Sequence, residues 1–444
     1  MRKNKLWIIL LGLAMAGLCG LMILVVLFSF RGFGAPDFRT WHLSLDMHGQ
    51  TASSDETKTY TISTPGNLVI NNPYGFVTIK GTTTGNQVKI RIQKDAHGFS
   101  KENAEENLKK MVVDIKQDGN TINVNVPEPS GIVVNYPFVD FTVEVPEDTA
   151  ISVDNKMGEL NVKNIASDLL LHSNFSDVDV SDVTNGSVSV TSKAGSIKVR
   201  QVTGDKHPVD LTSDFGNIDL SDARGSQVNV SSNNGEVSLT RVESNGPISL
   251  KNEFGEITLR ETWGESLDIV SKNGSVNLKE TRINNFLSVQ NDFGDIVLDN
   301  VFPKTLDLQN KNGSIVLDHA SGIITASTEF GSIEINNCQD CGLNLTSKNG
   351  SIAYEGSLGE GPHELSSDFG SIDLKLPSDS TLTVDLRTEF GDIFNDFEII
   401  ADGKDTKHHQ IGKINGGGAI LNIDVNNGSI NLEKTNNVRS DHND

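Results

Sequence analysis

Between residues 166 and 433, short stretches in which apolar and polar residues strictly alternate return at a nearly constant interval. "VDLTSDFGNIDL", "VNVSSNNGEVSL", "ISLKNEFGEITL" and "LDIVSKNGSVNL" share one pattern. Each reads apolar-x-apolar-x-Ser/Asn, then x-Phe/Asn-Gly, then x-apolar-x-apolar. Alternation with a period of two marks a strand that buries one face. Each unit thus predicts two short strands joined at a glycine corner. The corner glycines are Gly195, Gly216, Gly235, Gly255, Gly274, Gly294, Gly313, Gly331, Gly350, Gly370 and Gly391, with a last one at Gly428. Their spacing is roughly 19–20 residues, the signature of a repeat architecture.

A second regularity lies over the first. Phe215, Phe254, Phe293, Phe330 and Phe369 precede every other glycine, and Asn234, Asn273, Asn312 and Asn349 precede those between, with Ala194 standing in the Asn series. Coils of ~19 residues are therefore paired into repeats of ~39. The pattern leaves open which of the two lengths is one physical coil; two strands in the shorter is preferred. Asn-Gly between alternating strands normally signals a hairpin. Phe weighs against it, because a type I′ turn needs positive φ at both central residues and Phe is strained there. If both corners share one geometry, only the glycine takes positive φ. The chain then winds onward, and the expectation is an all-β parallel solenoid. Leu211, Ile218 and Leu220 of one coil should lie beside Val230, Val237 and Leu239 of the next.

Residues 59–165 read as N-terminal strands interrupted by a helix at about 100–112, with Ser100 as its N-cap, placed to cap the first coil. Residues 31–58 read as a polar stalk and 434–444 as a disordered tail. Residues 6–30, "LWIILLGLAMAGLCGLMILVVLFSF", carry no charge. They exceed the length needed to span ~30 Å of hydrocarbon and are too long for a signal peptide. A transmembrane helix is expected, with residues 1–30 as cytoplasmic stub plus span. Arg2, Lys3 and Lys5 outweigh Arg31 and Arg39, which favours a cytoplasmic N-terminus and an exported remainder.

The formal net charge of −22 argues against binding to nucleic acid or an anionic membrane surface, since phosphates would repel it, and no nucleic-acid partner is expected. Of the three cysteines, Cys19 lies in the apolar run. Cys338 and Cys341 form a lone "CQDC", read as a small local disulfide or two free thiols. Zinc would want further ligands at matching spacing.

The triplet Asp214-Phe215-Gly216 spells a protein-kinase motif, but it recurs at the other corners as D-F-G or E-F-G without any of its catalytic companions. It is read as architecture. Asp214, Glu253, Asp292, Glu329, Asp368 and Glu389 share one register. They are weak candidates for holding divalent cations, and a solubilising edge is the plainer reading. The N-G-S triplets at Asn273, Asn312, Asn349 and Asn427 match a glycosylation sequon, but the repeat corner explains them, with stacked Asn side chains hydrogen-bonding along the edge. His408-His409 reads as a loop with no evident partner.

The turn glycines of "NGSVNL", "DFGDIV", "KNGSIVL" and "KNGSIAY", the two-by-two pairing and the segment "VEVPEDTAISVDNKMGELNVKNI" resemble the bacterial putative-adhesin family, over about residues 60–432. These are exported proteins with pectin-lyase-like solenoids. The resemblance implies a right-handed solenoid and a role in cell-surface adhesion, and it brings no catalytic residues with it. A carbohydrate-active enzyme would need carboxylates clustered with Lys, Arg or His on one sheet face, whereas here they repeat along a corner. The expectation is a non-catalytic envelope adhesin or scaffold without cofactor. It would bind a glycan, a cell-wall polymer, an envelope protein or another copy of itself. The alternatives are an envelope-stress accessory that binds a partner membrane protein and, behind it, a polysaccharide lyase or hydrolase.

Overall fold

The computed structural model describes residues 50–128 and 138–435. The chain divides into two compact units, residues 1–50 and 51–444, and the architecture below is that of the second. The expected anchor at residues 6–30 with Cys19, the stalk residues 31–49 and tail residues 436–444 lie outside the described residues, whereas Lys434 and Thr435, expected in the tail, end the strand Ile430–Thr435. Among those described, no helix is long and apolar enough to cross a membrane.

The protein is an all-β parallel solenoid. Strands about one coil apart pair in parallel, so Leu211 lies beside Val230, Ile218 beside Val237 and Leu220 beside Leu239, as the repeat predicts. Phe175 pairs with Ala194 and Phe215 with Asn234, so one physical coil is the shorter repeat. Alternate side chains point inward and form continuous apolar columns, one running Leu171, Val190, Leu211, Val230. Burying each such side chain stabilises the stack by about 1.5–3 kcal/mol, so every coil depends on the coils that cover it.

Each coil turns twice. The first turn is the glycine corner, where φ at the corners from Gly195 to Gly331 runs from +115° at Gly294 to +154° at Gly235 and Gly331. The second was not anticipated. Asn164, Asp182, Gln201, Asp222, Arg241, Glu261, Glu280, Asn300, His319 and Asn337 all adopt a left-handed φ, between 49° and 58°. Each reverses the side-chain alternation, so that the next residue, such as Val183, Val202, Ala223, Val242 or Val301, points into the core. Cys338 belongs to this buried column, and it is disulfide-bonded to the buried Cys341.

At the N-terminal end the strands are β1 (Gln50–Thr61), β2 (Asn67–Tyr74), β3 (Val77–Thr82), β4 (Gln87–Gly98), β5 (Asp114–Asp118), β6 (Thr121–Asn125), β7 (Phe138–Pro146), β8 (Ala150–Met157) and β9 (Leu160–Ile165). The helix α1, Lys101–Lys110, follows β4. The order in space is not the order in sequence. β2 is flanked by β6 and β8, and β3 by β7 and β9. The first coil of the chain is thus enclosed by later ones. β4 then runs antiparallel along β7, and β5 along β6. Ser100 caps α1 by accepting the Asn103 amide. The helix packs on β4, where Gly98 leaves room for its backbone at Ala104.

Residues 50–58 correct the stalk expectation, because they belong to β1, which pairs with β4. β1 is an edge strand with mostly exposed polar side chains, tied by the Asp55–Arg91 ion pair, and such a strand looks like a linker in sequence.

The C-terminal end repeats the device. Strands Ala419–Asn427 and Ile430–Thr435 insert between the coil of His363–Phe369 and Ile372–Pro377 and the coil of Leu382–Phe390 and Ile393–Asn395. Gly428 is therefore the last corner in sequence but not in space. Strand His409–Ile414 closes this end antiparallel to Leu382–Phe390. His408 and His409 are partnered after all: His408 bonds the Gly391 carbonyl at 2.7 Å and His409 the Asp385 carboxylate at 2.9 Å.

Candidate binding face

The glycine corner displays a single column of side chains. In spatial order it reads Phe175, Ala194, Phe215, Asn234, Phe254, Asn273, Phe293, Asn312, Phe330, Asn349, Phe369, Asn427, Phe390. Coils are ~4.8 Å apart, so a phenylalanine recurs every ~10 Å. These seven rings are 52% to 71% exposed, while the residues two positions earlier are buried. A regular row of exposed aromatic rings is not needed to stabilise the core.

The corner backbone is rigid. Each corner glycine amide donates to the carbonyl of the Phe or Asn on the next coil, as Gly274 does to Phe293 at 2.9 Å. From inside, the buried Asn252 and Asn291 amides each donate to two glycine carbonyls, Gly235 and Gly255 in one case and Gly274 and Gly294 in the other. The corner asparagines correct the expected Asn ladder. Phenylalanines separate them, so they bond backbone instead: Asn273 donates to the Glu253 carbonyl, Asn312 to Asp292 and Asn349 to Glu329.

The acidic register beside the phenylalanines is not a bare row of carboxylates. Every acid lies next to a lysine or an amide of the neighbouring coil. Lys272 pairs with Glu253, Lys311 with Asp292 at 2.6 Å and Lys348 with Glu329 at 3.2 Å. Asn233 and Asn426 donate to Asp214 and Asp368, each at 2.9 Å. The hydrogen bond to Asp292 also raises the Lys311 pKa. These pairs are exposed to solvent, so their main effect is to set the local charge pattern.

Elsewhere, the second corner brings together Asp299, Asp318 and His319, whose ligand atoms lie within 4.8 Å of one another. Sequence inspection did not single them out. They are already engaged, Asp299 with Lys279 and Asn300, and Asp318 with Asn337 and His319. On the same corner Arg241 grips Asp222 through two hydrogen bonds and holds its carboxyl below the usual range. An open groove of ≈ 480 Å³ beside the inserted C-terminal coil is lined by Leu358, Gly359, Glu360, Asp379 and Thr381 among others.

Among solved structures, the chain is similar to a putative adhesin from Bacteroides fragilis, at 18% identity over 54% of this chain and 97% of that one, TM-score 0.34. It is also similar to a putative cell adhesion protein from Clostridium sporogenes, at 9% identity over 86% and 100%, TM-score 0.19. A putative adhesin from Parabacteroides merdae matches at 13% identity over 63% and 95%, TM-score 0.20. No curated protein matches. The Toastrack DUF4097 family matches residues 67–266 and 261–433, nearly the whole solenoid. The chain belongs to the Toastrack DUF4097 family.

Proposed function

We propose that this protein is a membrane-anchored, exported adhesin or envelope scaffold that works by binding and not by catalysis. One observation carries the reading: a continuous column of exposed phenylalanines, one on every second coil, on a corner whose backbone is hydrogen-bonded along the stack. A fixed row of aromatic rings suits an extended partner with its own repeat, such as a glycan, a cell-wall polymer or another solenoid. Aromatic anchors at regular intervals also let weak contacts add up along a rod. The apolar run at residues 6–30 supplies the anchor in this reading and places the solenoid outside the cell.

The test is retention of the purified chain on a panel of polysaccharides, cell-wall fractions and beads bearing the same chain, with and without Ca²⁺. New reducing or unsaturated ends are read in the same wells. Retention without products is expected. Products would refute the non-catalytic reading, and retention on none of the surfaces would refute adhesion.

A further inference from the structure

We propose that the partner of the phenylalanine column is a second copy of this chain, lying antiparallel along it with the two columns offset by one coil. The inference rests on the adhesion reading and names its occupant. Along the column two patterns alternate in step. From the Phe215 coil onward, a coil that presents Phe also presents an acid, Asp214, Glu253, Asp292, Glu329, Asp368 or Glu389; the Phe175 coil, which presents Asn174, lies outside the paired register. A coil that presents Asn or Ala presents Lys193, Lys272, Lys311, Lys348, or the amides Asn233 and Asn426. A partner that matches this surface over its whole length needs the same two-coil period and the opposite phase. A second copy turned end for end has both.

The geometry can be followed coil by coil. A two-fold axis lying in the interface, perpendicular to the stack, sets the charged column of one copy against the charged column of the other. It does the same for the two aromatic columns. Placed between the Phe293 and Asn312 coils, the axis pairs Phe293 with Asn312, Phe330 with Asn273, Phe254 with Asn349, Phe369 with Asn234, and Phe215 with Asn427 of the other copy. Ala194, the one small residue in the series, then faces Phe390, the most exposed ring of the column. The same operation sets Asp292 against Lys311, Glu329 against Lys272, Glu253 against Lys348 and Glu389 against Lys193. Asp368 and Asp214 meet the amides Asn233 and Asn426. No like charges meet in this register.

Area and charge both support it. With half or more of each ring exposed, the six phenylalanines from Phe215 to Phe390 offer roughly 100 Å² apiece. With the intervening amide and lysine surface, the column approaches the ~800 Å² per partner of a standard interface. Two chains of formal charge −22 repel over most of their surface; along this column Lys272, Lys311 and Lys348 pair with Glu253, Asp292 and Glu329, which lowers the local charge. A self-complementary patch of this kind closes as a two-fold dimer and does not grow into a fibre. Antiparallel is also the orientation that chains anchored by the same end in opposing membranes would adopt.

The experiment is thiol cross-linking of the full chain displayed on membranes, in a Cys19→Ser background, with Glu253→Cys and Lys348→Cys introduced together and singly. These two positions are five coils apart within one chain, ~24 Å, beyond a short bis-maleimide. Across the proposed interface they face each other. The double variant should give covalent dimers, the single variants none, and Phe254→Ser/Phe293→Ser/Phe330→Ser should abolish the dimer while leaving the β-sheet circular dichroism intact. Cross-linking of the single variants would indicate parallel pairing and overturn the proposal, as would the absence of any dimer. If no dimer forms but the triple Phe→Ser change still removes retention on a polysaccharide, the column is the binding face and a glycan occupies it. If neither effect is seen, the adhesion reading falls as well.

Discussion

Gly274 has a φ of +150°, and a Cβ added there would lie 2.0 Å from the Gly255 carbonyl oxygen of the coil before it. Gly85 also has positive φ, +99°, but a Cβ there would meet nothing within 4 Å. The pair separates backbone strain from steric clash. Gly85→Ala should cost about 1 kcal/mol, and Gly274→Ala at least ~3 kcal/mol, because strain and clash combine. Chemical denaturation of the two variants measures both; equal losses would show that the corners are not closely stacked. At the same scale, His363 is buried, accepts the Leu343 amide at Nδ1 and donates from Nε2 to the Gly359 carbonyl. Burial lowers its pKa, and the Gly359 bond offsets this only in part. The sign follows from linkage. Below the unfolded value of ~6.5 the unfolded chain binds the proton first, so stability falls as pH drops from ~6.5 toward the folded pKa. His363→Gln should flatten that slope in denaturation midpoints measured from pH 7 to pH 5. An unchanged slope would mean that the ring titrates freely.

In many coils a buried Asn, Ser or Thr three residues before the glycine bonds a corner carbonyl from inside, as Asn252, Thr328, Ser347 and Thr388 do. Asn291 is the clearest case, donating to the Gly274 and Gly294 carbonyls at 3.1 and 3.0 Å. Asn291→Ala should cost about 1–3 kcal/mol by orphaning the Gly274 carbonyl, while Gly294 still accepts from Asn310 at 2.8 Å. Asn291→Asp should cost more, since a carboxylate would face two carbonyl oxygens. Hydrogen exchange at the Gly294 and Phe293 amides should report the loss locally. This corner was legible in the sequence, because glycine and the residue three before it recur at one spacing. The second corner was not, although it left a trace. In "IKVRQV", "VSLTRV" and "IVLDHA" the alternation slips by one polar residue before the next apolar one. Gln201, Arg241 and His319 carry that slip in a left-handed conformation. The residues at this turn range from Asn and Asp to Gln, Arg, Glu and His, so no single residue type marks it in the sequence. The aromatic column was legible as a series of residues. Its exposure and its interleaved charges were not, since both depend on which coils are neighbours.

The ends of the stack show most clearly what the sequence withheld. Successive corners at Gly370 and Gly391 both carry Phe, which breaks the Phe/Asn alternation. The structure removes the break by inserting the Asn427 coil between those of Phe369 and Phe390. The anomaly was visible in the sequence; its cause is a pairing between segments some 40–60 residues apart that no local pattern encodes. Both ends are built this way, so the first and last coils in sequence lie inside the stack, where neither presents an open edge. In the interior the chain is a regular ladder, and its exposed aromatic feature is the phenylalanine column.

The account's central claim, that this column is the working face, is tested most directly by comparing two variants in one adherence assay. One is Phe215→Ser/Phe254→Ser/Phe293→Ser/Phe330→Ser/Phe369→Ser. The other removes comparably exposed apolar residues away from the column, Leu170→Ser/Ile323→Ser/Ile420→Ser. Beads carrying each chain are scored for adherence to cell-wall fractions and to beads carrying the unmodified chain. The account predicts that the column variant loses adherence and the control keeps it. Equal adherence of the two variants would contradict it.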